Sequence, residues 1–316
     1  MSGLVAYAAF FLTVASIYAL MSLGLNLQWG FTGLFNVGVA GFFAVGAYAT
    51  ALLTGPDYPG QVGGFGLPVP LGWLGGLAAA GLAALVVGIP TLRLRHDYLA
   101  ISTFGIAIVI QLVALNFQAL TGGPLGLNFI PRPLAPWFSG TLSYGLFYLA
   151  VVGAIVAGSY WALERLVRGP WGRALRAIRE EEAAASALGK SPAAFRLQAF
   201  VLGSMLMGLA GGLFASFFGF VSPTDFQPIV TFQLWTMLIL GGSGNNRGAL
   251  IGAYLVWGLW SGSGALLHEL LPAGLQVRGA ALQIVLIGVV LALVLLFRPR
   301  GLIGEEAVIS RHVRPR

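Results

Sequence analysis

Few side chains in this sequence are able to do chemistry, and most of them lie in one stretch. Cysteine is absent, so neither a disulfide nor a thiolate metal site can form. His96, His268 and His312 stand far apart with no paired spacing of the HExxH kind, and no metal is assigned to them. No nucleophile, carboxylate and histidine gather at one depth, which argues against an intramembrane enzyme. The polar stretch is residues 164 to 196, which holds Glu164, Arg165, Arg168, Arg173, Arg176, Arg179, Glu180, Glu181, Glu182, Lys190 and Arg196. In a chain that is otherwise apolar, such a segment is expected to touch something soluble.

Residues 184 to 191 read Ala-Ala-Ser-Ala-Leu-Gly-Lys-Ser, one glycine short of the phosphate-binding pattern GxxxxGK[ST]. That loop follows a strand and opens a helix, so that its amides can cradle phosphates. Here a run of helix formers precedes it, so any use of ATP is assigned to another subunit. The same residues fit one amphipathic helix over 170 to 189. Pro170 suits a first turn, Leu175, Ile178 and Leu188 are apolar anchors, and Gly189 followed by Pro192 marks the end. Such a helix docks into a groove on a partner, or lies on lipid headgroups with its charges paired internally.

The elements that carry this segment are membrane spans. The chain has 316 residues, 58% hydrophobic and 9% charged, against about 25% charged in soluble domains. Apolar runs at 4–25, 71–90, 98–115, 143–163, 197–221 and 280–297 approach the roughly 20 residues that cross a bilayer. They lack the alternation of a barrel strand. The expected fold is an all-α polytopic membrane protein of eight to ten transmembrane helices, some broken or re-entrant. It forms a single transmembrane domain over 1–316, with a cytoplasmic loop at 164–196 and a cytoplasmic tail at 298–316. Lys and Arg resist translocation. Nine crossings put every one of them except Arg132 and Arg278 inside, with the N-terminus outside and the C-terminus inside. The distribution of the basic residues, more than the net charge of +7, thus sets topology, and no nucleic-acid partner is expected.

Two stretches read as interrupted helices, Gly24 to Gly38 and Gly241 to Gly248, and non-helical backbone cannot face lipid. The crossing at 248–261 is expected to be short. Interruptions in corresponding positions point to a transport pathway. Uncharged polar residues that could coat it include Asn26, Asn36, Ser102, Thr103, Gln111 and Gln233. Asn26 and Asn36 either line a polar cavity or bond a neighbouring helix. No carboxylate is expected mid-membrane, which disfavours ion coupling.

Gly172-Arg173-Ala174-Leu175-Arg176-Ala177-Ile178-Arg179-Glu180, then Glu182-Ala183-Ala184-Ala185 and Leu188-Gly189, resembles the cytoplasmic EAA loop of bacterial ABC-importer permeases. The form is that of LivM-type permeases of branched-chain amino acid importers. Ordered similarities run along most of the chain, among them Tyr98 to Gly105, Leu120 to Gly126, Gly208 to Leu213, Ile239 to Gly244 and Phe297 to Leu302. The resemblance implies a coupling element from Arg173 to Gly189, comprising Arg173, Arg176, Arg179, Glu180, Glu182, Ala184, Ala185, Leu188 and Gly189. It also implies a second homologous, LivH-like permease, two cytoplasmic ATPase subunits that carry ATP and magnesium, and a periplasmic solute-binding protein. The setting would be the bacterial or archaeal inner membrane, and this chain would hold no cofactor and catalyse no covalent step. The sequence departs from the family pattern at Thr32 to Ala40 and at Gly244 to Gly248. Urea, short amides or another small organic solute therefore stay open as cargo, and an ATP-independent carrier or channel is the reading from another class.

Overall fold

Apolar side chains offer the backbone no hydrogen bonds, so each long apolar run has to satisfy its amides internally, and helix is the local solution. The computed structural model of the chain describes residues 2–57, 60–94, 96–138, 140–270, 272, 276–298 and 300–305. The helices are α1 (Ser2–Gln28), α2 (Val39–Thr54), α3 (Val69–Thr91), α4 (His96–Asn116), α5 (Gln118–Thr121), α6 (Thr141–Arg168), α7 (Pro170–Glu180), α8 (Glu182–Ala187), α9 (Pro192–Phe218), α10 (Pro228–Gly241), α11 (Asn246–Leu270) and α12 (Gln276–Phe297). Among the described residues, six helices are long and apolar enough to cross a membrane: α1, α3, α4, α6, α9 and α11. Three further apolar helices, α2, α10 and α12, stand beside them. The only β pairing among the described residues is an isolated antiparallel bridge between Leu127 and Val221. The chain is therefore an all-α multi-pass membrane protein, as its composition implies. Arg95, His312, residue 299 and the tail beyond 305 lie outside the described residues.

α9 lies at the centre, against α1, α2 and α3, because glycines let the backbones close up. A methyl group on Gly24 would meet the Gly203 carbonyl, one on Gly46 the Gly208 backbone, and one on Gly208 the Gly76 carbonyl. Close approach through small residues is how helices associate where lipid removes the usual hydrophobic drive. Gly46→Val is accordingly expected to destabilise the bundle by about 1–3 kcal/mol, the usual cost of overpacking. A lower melting temperature and a larger aggregated fraction in detergent are the readouts, and an unchanged melt would mean that α2 and α9 can separate without loss.

Three expectations change in detail. The first interruption begins after Gln28, since Gly24 to Gln28 stay helical, and the non-helical stretch is 29–38. The crossing expected at 248–261 is not short, because α11 has 25 residues. Its Ser261-Gly262-Ser263-Gly264 stays helical, with Ser263 Oγ bonded to the Trp260 carbonyl. The single helix expected over 170–189 is two, parted at Glu181, whose backbone is extended (φ −149°, ψ 97°). The bend turns Glu182 onto Arg196 of α9, at 2.8 Å.

Candidate functional site

The site is the face where α7 meets the two interruptions, with α8 continuing from it along α9. α7 is amphipathic in the ordinary helical sense: Gly172, Leu175 and Ile178 are buried while Arg173 and Glu180 are exposed. Leu175 and Ile178, expected as anchors for a partner, are instead covered by this chain itself, at 0% and 1% exposure. Burying two aliphatic side chains fixes the helix to the membrane domain, each contributing about 1.5–3 kcal/mol. Of the expected anchors only Leu188 is presented outward, at 81% exposure. α8 ends in a Schellman motif: the Lys190 amide donates to the Ala185 carbonyl and the Gly189 amide to that of Ser186. Gly189 takes the required left-handed conformation, φ +74°. Ala185 is buried, whereas Glu182, Ala184, Leu188 and Gly189 form one exposed surface.

The basic residues of α7 divide by role. Arg173 is exposed, and Arg176 Nη2 donates to the Val167 carbonyl at 3.2 Å, tying α7 to the end of α6. Arg179 reaches furthest into the chain. Its Nη1 donates to the Gly30 carbonyl, and its Nη2 donates to both carboxylate oxygens of Glu305, at 3.0 and 2.8 Å. α7 is therefore joined directly to the first interruption.

The second interruption is tied to the same point. Asn26, fully buried on α1, donates through Nδ2 to Asn246 Oδ1 and accepts from the Gly244 amide, both at 2.9 Å. Asn246 Nδ2 donates to Glu164 on α6 at 2.9 Å, and Arg168 holds the other oxygen of that carboxylate. Gly30 has to be glycine here, because a methyl group would collide with Asn26 Oδ1 and the Gly244 amide. A cavity of 280 Å³ opens beside this junction, lined among others by Phe31, Arg173, Arg176 and Arg247.

The unwound stretch 29–38 has its polar groups paired by buried side chains, as non-helical backbone inside a membrane protein must. Gln28 spans the gap: its Nε2 donates to the Phe200 carbonyl and to Ser204 Oγ, and its Oε1 accepts from Asn36 Nδ2 at 2.8 Å. Asn36 Oδ1 accepts from the Gly38 amide, and Trp235 Nε1 donates to the Asn36 carbonyl. Thr103 Oγ1 accepts from the Val37 amide, and Thr231 Oγ1 accepts from the Ala40 amide at the start of α2. Trp29, Phe35 and Trp235 form an aromatic cluster over the break, with ring centroids 4.6–5.3 Å apart.

Of the residues expected along a path, Asn36 and Thr103 thus support the unwound stretch, and Asn26 holds the second interruption, each bonded to a neighbouring segment. Ser102 is half-buried on α4, and Gln111 lies further along it, its Nε2 donating to the Pro223 carbonyl at 3.3 Å. Gln233 is buried on α10, 7% exposed.

Over residues 7–295 the chain matches the family described as "Branched-chain amino acid transport system / permease component". The chain belongs to this family. It is 34% identical over 312 residues to the high-affinity branched-chain amino acid transport system permease protein LivM of Escherichia coli K12, covering 92% of this chain and 68% of that protein. The probable LivM permease of Methanocaldococcus jannaschii is 28% identical, with 93% of this chain and 92% of the relative aligned. The LivH permease of Escherichia coli K12 is 26% identical, with 94% of each chain aligned. The chain is thus LivM-type, though similar to both permeases of that named system. No solved structure matches it. Glu164, Arg168, Asn246 and Glu305 in the junction, and Gln28 beside the unwound stretch, are residues that sequence reasoning did not assign to a site. A polar residue inside an apolar helix was a usable signal for Gln28, but nothing local marks Glu305.

Proposed function

We propose that this chain is the membrane-spanning permease subunit of an ATP-driven importer of branched-chain amino acids. It works beside a second permease of the same family, on two cytoplasmic ATPase subunits that carry ATP and magnesium, and receives solute from a periplasmic binding protein. Family membership supports the transport class and the cargo. The observation that supports coupling is that α7 touches Gly30 at one helix interruption and shares its junction with the Gly244 to Asn246 turn at the other. Motion imposed on the exposed surface of Glu182, Ala184, Leu188 and Gly189 would reach both interruptions through that junction.

In this reading α7 and α8 face the cytoplasm of a bacterial or archaeal inner membrane. Nine crossings then leave the N-terminus outside and the C-terminus inside, the arrangement that keeps most Lys and Arg untranslocated. Asn26, Asn36, Ser102, Thr103, Gln111 and Gln233 line or support the path. An apolar pocket distinguishes substrates by only about 1–3 kcal/mol per methylene, so most selection among side chains falls to the binding protein.

The test is co-purification of the chain with its co-expressed permease, ATPase and binding-protein neighbours. ATP hydrolysis and leucine uptake are then measured in proteoliposomes. Receptor-stimulated hydrolysis with leucine uptake is expected. A stable chain that retains no ATPase would overturn the reading and move the ATP-independent carrier to the front.

A further inference from the structure

The segment after α12 folds back across the second interruption. The Leu302 amide donates to the Leu240 carbonyl and the Ile303 amide to that of Gly241, both at 2.9 Å, so the tail extends the end of α10 by two backbone bonds. Asn245 Nδ2 donates to the Gly304 carbonyl at 3.2 Å. Gly242 has no side chain to spare there, since a methyl group would strike the Ile303 carbonyl. These contacts deliver Glu305 to Arg179, 126 positions earlier in the chain. Arg179 is only 23% exposed on its side chain, and its other nitrogen donates to the Gly30 carbonyl just beyond the end of α1. A cation is favoured at a helix C-terminus. A long guanidinium still has many rotamers, and the alternative partner within reach, Glu180, lies at 3.7 Å on the exposed side.

We propose that residues 301–305 act as a clamp in the coupling of α7 to the membrane helices, with Glu305 the positioning residue that aims Arg179 at Gly30. The clamp locks three elements into one register: the end of α10, the end of α1 and α7. The bidentate pair orients the guanidinium, and the two backbone bonds anchor the carboxylate that orients it. The role in coupling rests on the importer reading above, whereas the clamp itself does not.

Glu305→Gln keeps the size of the side chain and removes its charge, and Glu305→Asp keeps the charge. Hydrogen exchange of the peptide spanning 300–305 is measured on the full chain in detergent. Uptake of leucine per ATP hydrolysed is measured on the assembled complex. In Glu305→Gln, exchange at Leu302 and Ile303 is expected to rise about two- to fivefold, the range for a partly exposed ion pair. Uptake per ATP is expected to fall while hydrolysis continues, and Glu305→Asp is expected to lie between. Arg179→Lys combined with Glu305→Gln should be no worse than either alone. Unprotected amides at 302 and 303 in the wild type would overturn the clamp, and unchanged uptake per ATP in Glu305→Gln, or additive losses in the double variant, would overturn the positioning role. A wild-type complex that does not assemble would overturn the importer reading, and the exchange result would still stand on its own.

Discussion

Replacing Glu182 with arginine is expected to reduce leucine uptake by the assembled importer to background, with the chain still inserted and folded. Glu182 stands at the first turn of α8, 51% exposed on its side chain, and pairs with Arg196 on α9. Arg93 lines the same groove, so Glu182→Arg would gather three cations where there are now two cations and an anion. Arg196 is only 15% exposed, but half of the Glu182 side chain meets solvent, so the pair contributes about 1 kcal/mol and the fold survives its loss. The effect on uptake is far larger if the carboxylate is also what the ATPase grips. Reversing both charges, Glu182→Arg with Arg196→Glu, separates the two roles. The internal pair is restored, yet the exposed surface of α8 has changed sign. Uptake that stays at background in the reversed pair, with ATPase lost from the purified complex, identifies the carboxylate as a partner contact. Recovery of uptake would make Glu182 an internal tie between α8 and α9, and the docking surface would then rest on Leu188 and the small residues beside it.

That distinction shows what the sequence could and could not disclose. Helix positions were readable because lipid leaves the backbone no other choice, so apolar length alone located α1, α3, α4, α6, α9 and α12. Pro170 and Gly189 fixed the limits of the polar segment because each has a local stereochemical reason to be there. Leu175 and Ile178 were misjudged for the opposite cause. Their spacing predicts an apolar stripe, but a stripe does not say whether the same chain or a partner covers it. The interruption after Gln28 was misdrawn because the glycine at 24 serves contact with Gly203, not a bend. Glu305 was invisible, since its partner is set by how the end of α12 returns to α7, a relation with no period to detect.

Asn36→Leu is expected to lower both stability and uptake, which separates a buried support from a residue that meets the solute. Asn36 is fully buried, and its side-chain groups are both engaged, with Gln28 Oε1 and with the Gly38 amide. Leucine would orphan the Gly38 amide at the start of α2 and Oε1 of Gln28 at the end of α1, while Gln28 kept its bonds to α9 through Nε2. Hydrogen bonds within membrane bundles average about 0.6 kcal/mol when both partners can find substitutes. Here the Gly38 amide sits in a stretch with no helical alternative, so each orphan is better valued at about 1–3 kcal/mol. A fall in detergent melting temperature that tracks the loss of uptake is the expected pair of results, with solute binding to the isolated receptor unchanged. A variant that melts like the wild type but fails to transport would instead assign Asn36 to the path itself. The same comparison for Asn26→Leu reaches further, because Asn26 joins Gly244 and Asn246 and so holds the second interruption against the first. If the junction couples the two, Asn26→Leu should uncouple hydrolysis from uptake as well as destabilise, whereas Asn36→Leu should leave the uptake per ATP of its folded fraction near normal.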